Sequence, residues 1–391
     1  MHRPYLKMNK AALITIPAKI SWAKSFRYHK RSKEIIFNNL LSFFSFHGIV
    51  LKNSRPLKPL LKFLAIFYHF LWIIGTLGTT MCLVESVSTK LPSSFYVFSA
   101  AVKIVSIFLW WILFRERRKI YHLLRTLSYL HYQVVGRFRP FNKIINFSLV
   151  VFLLFTLEPG VNNIDNTIKE DTIRPECFHI YIPLPTKTAR ICVYFLIQTN
   201  HQLVNWSLSY LVNLLVIFCC LELSLLIKTV TKKVDKSFSN ELFETYEELF
   251  ETILMTEDTL SLICFICLMR LFMEFFRVFS LLFNFVRGKP QSASVINAGS
   301  YGVVTGVLFV AMIFAADNVQ KSFQELQRHL IKKSALNRNT QNGFSFREQI
   351  LVRNEDAILT GWGIFELKKK LFLSTLASLI TYGVLLQQLQ Q

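Results

Sequence analysis

The chain has 391 residues, 52% of them hydrophobic, and 45 Lys and Arg against 24 Asp and Glu, for a net charge of +21. That apolar share, with 37 phenylalanines and a mean hydropathy of +0.37, excludes a disordered chain and an ordinary soluble domain. Seven scattered cysteines in a chain of this length exclude a small disulfide-stapled fold. A strongly basic balance often marks a nucleic-acid partner. Here the apolar residues come in blocks long enough to cross a bilayer, so the hydropathy overrides that reading and no nucleic acid is expected. The fold class is an all-α polytopic membrane protein.

In chain order, the first thirty-odd residues are basic and interrupted by Pro4, Pro17, Lys19 and Lys24. No apolar core precedes a small-residue cleavage site, so insertion is expected to start at the first span. The block Phe37 to Val50 carries Asn38, Asn39 and His47 and is broken by Gly48; it reads as an interfacial or half-inserted helix. About 20 apolar residues are needed to cross the roughly 30 Å hydrocarbon core. With that window, seven spans fall near 64–84, 95–114, 142–158, 191–218, 260–286, 297–316 and 371–389.

Lys and Arg in the connections orient them. The segment up to Lys62 holds 13 basic residues, 115–143 eight, 228–259 four and 317–370 ten, whereas the alternate connections hold seven altogether. The basic side is cytoplasmic. The N-terminus is therefore expected inside and the C-terminus outside, the inverse of a G-protein-coupled receptor.

Among the outer connections, 159–190 is the long one, rich in Pro, Gly and Asn. The inside segments are longer and read as helices, with 228–259 and 317–335 as the examples. The latter places Val319, Phe323, Leu326 and Leu330 at helical spacing. Spans four, five and six are thus expected to run on into a cytoplasmic bundle. The acidic run Glu241, Glu244, Glu247, Glu248 and Glu251 is either a solvated face or part of a subunit contact. The organisation expected is a basic cytoplasmic N-terminus with an interfacial helix (1–63), spans one to six with extended cytoplasmic helices (64–316), a cytoplasmic helical anchor segment (317–370) and the last span (371–391).

The last span ends in Thr381-Tyr382, five further residues, then Gln388-Leu389. This resembles the signature of the arthropod gustatory and odorant receptor superfamily: Thr-Tyr, five mostly hydrophobic residues and Gln-Phe in the seventh span. Leu389 stands where gustatory receptors usually have Phe, and Gln387 is a polar departure. Gly363, Phe365 and Leu367, with charges at 366 and 368, look like the family's approach to that span. Residue-level resemblance covers roughly the last 30 positions, and the inverted seven-span order covers the rest. The gustatory branch is favoured because no long co-receptor-like second cytoplasmic insertion is present.

The resemblance implies a plasma-membrane gustatory receptor: a tastant-gated, non-selective cation channel, a homo- or hetero-tetramer of related receptors in which each last helix lines the pore. Leu385 and Leu389 lie four apart, with Thr381 one turn below and Gln388 beside them. Four copies of such leucines make a constriction that gates by dewetting, with Gln388 offering uncharged polar contacts. An ordinary packed or lipid-facing helix explains the leucines equally well.

Polar residues at membrane depth are functional candidates. In span four Gln198, His201, Gln202 and Asn205 share one face, with Trp206 nearby; polar donors beside aromatic planes suit a small tastant, and interhelical bonding is the competing reading. Lys103 in span two and Tyr301 in span six join this candidate pocket. Arg270, Glu274 and Arg277 share a face of span five and read as an intramembrane ion-pair network. Cys177 and Cys192 fall outside the membrane or nearly so and could bridge, and the sequence leaves open whether they do. No nucleophile–base arrangement, metal-ligand cluster or nucleotide loop appears, so neither an enzyme nor a cofactor is expected. A G-protein-coupled receptor is the rival reading, although Asp-Arg-Tyr and Asn-Pro-x-x-Tyr motifs are missing; a membrane transporter ranks lower, without evident inverted repeats.

Overall fold

Long stretches without Gly or Pro let helices run far past the membrane thickness. The computed structural model describes residues 38–47 and 49, six positions between 63 and 77, 94–136, 141–162, six positions between 186 and 195, 206–236, 240–286, 292–336, 359–361 and 363–389. Helices are α1 (Asn38–Phe46), α2 (Ser94–Val135), α3 (Phe141–Asn162), α4 (Leu208–Lys236), α5 (Asn240–Val286), α6 (Ser292–Leu336) and α7 (Lys369–Leu389); the strands β1 (Thr360–Gly361) and β2 (Phe365–Glu366) pair antiparallel just before α7. The described residues are thus almost wholly helical.

The 42 residues of α2 make a rod of about 63 Å, twice a hydrocarbon core. Span two thus runs on as well, beyond the extension expected of spans four, five and six. Ile120, Leu123, Leu124, Leu127, Leu130 and Val134 are buried, a 3.6-residue stripe that continues the helix beneath the basic run Arg115–Lys119. Gly136 ends it at φ 74°, donating its N–H to the Tyr132 carbonyl at 3.0 Å, a left-handed cap that favours glycine.

At the centre lies α4, where every residue from Ser207 to Cys220 is buried. It contacts α1, α2, α5 and α6; α2 also lies along α5, and α6 along α5. In the extended part, Phe323 of α6 stacks on Tyr246 and Phe250 of α5 with centroids 5.9 and 5.8 Å apart. His131 of α2 and Glu222 of α4 form a fully buried pair there.

The first helix, α1, buries Leu40, Leu41 and Phe44 against α3 and α4. Asn39 donates to Asn146 Oδ1 at 2.7 Å and Trp110 Nε1 donates to the His47 carbonyl at 3.1 Å. Its apolar face is therefore covered by protein. Phe63, Ile66, Phe67, Phe70, Ile73 and Leu77 are helical and exposed, as are Ile104, Phe108 and Trp111 on α2 and Phe147, Val150 and Leu154 on α3.

Among the described residues, two helices pass a length-and-composition test for a membrane span, Leu208–Asp235 and Gly299–Ala335. The segment 317–370, expected to be helical throughout, is helical to Leu336 and ends in the β1–β2 hairpin; residues 337–358 lie outside the described ones. Cys192 is a free, exposed thiol and Cys177 lies outside the described residues. Cys264 and Cys267 are buried in α5, in keeping with a packing role.

Candidate functional site

Two arrangements carry the functional candidates. The first is a buried polar cluster where α2, α4, α5 and α6 meet. A guanidinium is too costly to bury bare, and the helices answer with hydroxyls. Arg270, 2% exposed, donates from Nε to Ser106 Oγ of α2 at 2.8 Å and from one terminal nitrogen to Ser209 Oγ of α4 at 3.0 Å. Its guanidinium also lies 5.7 Å from the Trp206 ring, within cation–π range. Trp206 in turn packs on Tyr301 of α6 with centroids 4.4 Å apart. Glu274 accepts from Arg277 Nε at 3.0 Å, and Arg277 lies over Tyr301 at 5.7 Å.

Of the predicted network, Arg277 is thus the carboxylate's hydrogen-bonded partner, while Arg270 is held by serines one turn away. The other Glu274 oxygen, Oε2, and Thr305 Oγ1 of α6 are buried without a protein hydrogen bond. A buried polar atom left unpaired costs free energy, so these two are the places in the cluster where a further hydrogen bond would be gained.

Sequence reasoning found Trp206, Tyr301, Arg270, Glu274 and Arg277, and the structure brings them together. It missed Ser106 and Ser209, because a serine in an apolar helix gives no signal of what it faces. Lys103, one turn before Ser106, is half-buried and has a partner within the protein, so it does not stand as a lone cation. Gln198, His201, Gln202 and Asn205 lie outside the described residues. Beside the cluster stands a different histidine, His47: its Nδ1 faces the Phe43 carbonyl at 3.0 Å and its Nε2 meets Ser207 Oγ.

The second arrangement is α7. It touches the bundle along one side through Leu371, Phe372, Thr375 and Tyr382. Tyr382 sits against Phe276 of α5 and Phe98 of α2, at 4.3 and 6.0 Å. Phe372 approaches Phe309 of α6 at 6.3 Å. At its base Lys369 lies 3.9 Å from the buried Asp317 of α6, which also pairs with Lys321 at 2.6 Å.

The rest of α7 is exposed in two stripes. Ser374, Ser378, Thr381, Leu385 and Gln388 form a mixed polar one, and Leu373, Leu376 and Ile380 an apolar one. The hydroxyls of Ser378 and Thr381 return to their own helix, donating to the Ser374 and Ala377 carbonyls at 3.0 and 2.9 Å. Thr381, Leu385 and Gln388 therefore share an exposed face as the spacing predicted; the Leu389 side chain lies outside the described residues. Among those residues no His, Cys, Asp and Glu group could hold a metal ion.

No known family profile matches the sequence, and no curated protein matches it. Its structure, however, is similar to that of an insect olfactory receptor, OR5 from Machilis hrabei. In the complex with eugenol the likeness covers 94% of this chain and 100% of the receptor at a TM-score of 0.62 and 14% identity. Without that ligand it covers 95% and 99% at a TM-score of 0.57 and 14% identity. The chain has the fold of that insect olfactory receptor over nearly its whole length.

Proposed function

We propose that this chain is a gustatory receptor of the plasma membrane, one subunit of a tastant-gated, non-selective cation channel. In this reading seven spans run from a cytoplasmic N-terminus to an extracellular C-terminus, and four subunits, identical or related, surround a pore lined by α7. The single observation that carries it is the split surface of α7. Its mixed polar stripe, Ser374 to Gln388, suits a water-filled axis, while Leu373, Leu376 and Ile380 suit lipid or a neighbouring subunit. The fold likeness supports a chemoreceptor channel and does not favour a G-protein-coupled receptor or a transporter.

The ligand, in the same reading, enters the cluster of Trp206, Tyr301, Glu274 and Thr305, joined by the span-four face of Gln198, His201, Gln202 and Asn205. A small aromatic alcohol such as eugenol, with one ring and one phenol, has the chemistry this cluster would take, so it belongs in the first panel beside sugars and bitter compounds. Opening requires tighter binding to the open arrangement than to the closed one.

Two experiments test the reading. Tags on each terminus, stained in intact and permeabilised cells, are expected to show a hidden N-terminus and an exposed C-terminus; an exposed N-terminus overturns it. Leu385→Ala and Leu389→Ala are expected to raise basal cation current at unchanged surface abundance. Unchanged conductance and gating in both would remove α7 from the pore.

A further inference from the structure

The base of α7 is tied to α5 through a single carboxylate. Glu257 Oε2 accepts the Thr360 backbone N–H at 2.8 Å, and Oε1 accepts the Thr360 hydroxyl. The same hydroxyl oxygen accepts the Gly363 N–H at 2.9 Å, and Gly363 closes the turn at φ 69°. The hairpin so held is stiff. Leu367 donates to the Leu359 carbonyl at 3.0 Å, both leucines are buried, and Lys368 is the one residue between Leu367 and α7.

Beneath the hairpin, Val216, Cys220, Glu257, Leu260, Cys264 and Leu359 line a crevice of about 10 Å³, the room of roughly one water, so the hairpin is packed closely on the bundle and the crevice is no ligand site. Burial lifts the half-buried Glu257 carboxyl above the ordinary carboxylate range, even though both Thr360 hydrogen bonds and their preference for the charged form pull it down.

The second attachment is Tyr382 on Phe276. Glu257 and Phe276 stand on one unbroken helix, nineteen residues and so about 28 Å apart. Arg270 and Glu274 lie between them. A helix held at one point pivots; a helix held at two points on one rod travels with the rod.

We propose that Glu257 is a positioning residue for the gate: its two-oxygen grip on Thr360 makes the base of α7 follow α5, so that a displacement of α5 at the Arg270–Glu274 cluster reaches both ends of the last helix. This rests on the reading of α7 as the pore helix.

The test uses the purified full-length protein in planar bilayers with symmetrical KCl and no added ligand, and reads spontaneous open probability. Glu257→Ala and Thr360→Val each raise it about fivefold or more, the scale of removing one hydrogen bond's bias from a two-state equilibrium. The double variant goes no further than Glu257→Ala, because that change already removes both hydrogen bonds, including the one that Thr360→Val removes. Glu257→Gln, which keeps an acceptor for the Thr360 N–H, stays within about twofold of the parent.

If Glu257→Ala does not assemble, Thr360→Val, which leaves the backbone N–H in place, carries the test. Folded variants within about twofold of the parent, or a Glu257→Gln that behaves like Glu257→Ala, overturn the grip and leave the channel standing. Absence of unitary currents from the parent and from Leu385→Ala overturns the channel reading, and the grip with it.

Discussion

Every residue of α4 between Ser207 and Cys220 is buried, whereas α7 leaves Leu373, Ile380 and Leu385 66%, 59% and 49% exposed. Both helices are long and apolar, and hydropathy treats them alike. They differ in where their apolar surface goes. The α4 surface is consumed by α1, α2, α5 and α6, so α4 organises the fold of the chain. Most of the α7 surface is left over, and it is divided between a mixed polar stripe and an apolar one. A buried helix tells of packing; an unburied apolar helix points to something outside the subunit.

The largest effect that sharpens this contrast is expected in the polar cluster that α4 and α5 enclose. Glu274→Ala removes the buried carboxylate that pairs with Arg277 and stands one turn from the buried Arg270. Breaking a buried ion pair in this way costs about 3–5 kcal/mol. The melting temperature in detergent is expected to fall by many degrees, and Glu274→Gln by less. A Glu274→Ala protein that melts with the parent would show that the hydroxyls of Ser106 and Ser209 alone satisfy Arg270.

The next effect compares the helices directly. Leu215→Ala, at a position with no exposure, is expected to cost about 2–4 kcal/mol through lost transfer and a residual cavity. Leu385→Ala is expected to change subunit stability by less than about 0.5 kcal/mol, while shifting current as proposed above. Equal melting losses in the two variants would mean that α7 is buried by its own subunit and would undo the contrast.

Much of this was legible in the sequence, and the gaps have physical causes. Val319, Phe323, Leu326 and Leu330 announced the extended α6, because apolar residues at helical spacing outside a span have no other use. Ile120 to Val134 carried the same period. The charges of Arg115 to Lys119 precede it without breaking it, since basic residues on the open side of a helix leave its buried side intact. Arg270, Glu274 and Arg277 were found because their spacing puts them on one face. Their serine partners come from helices 164 and 61 residues away in the chain, and no local pattern signals a contact at that separation. The hairpin was hidden for a related reason: two-residue strands have no periodicity, and Glu257 reads as one more acid in a run.

The smallest effect lies where the two regions meet, since Glu257 sits between the α4 wall at Val216 and Cys220 and the hairpin that leads into α7. Its carboxyl titrates above the ordinary range, chiefly because burial disfavours the charge, with Asp258 adding repulsion and Thr360 opposing both. The folded protein therefore holds this proton more tightly than the unfolded chain does. By linkage the contribution to stability is present at acid pH and lost as pH rises through the folded value. Lowering pH from neutrality towards that raised value is expected to increase the melting temperature of the parent slightly, and Glu257→Gln, which has no proton to gain there, should lack that component. The gain is small because the group is only half-buried and water screens it. The protonated acid, like Glu257→Gln, keeps an acceptor for the Thr360 N–H, so spontaneous opening of the parent is expected to stay within about twofold over the same pH range while its melting rises. An opening that climbs about fivefold on acidification would show that the charge, and not the acceptor, holds the base of α7.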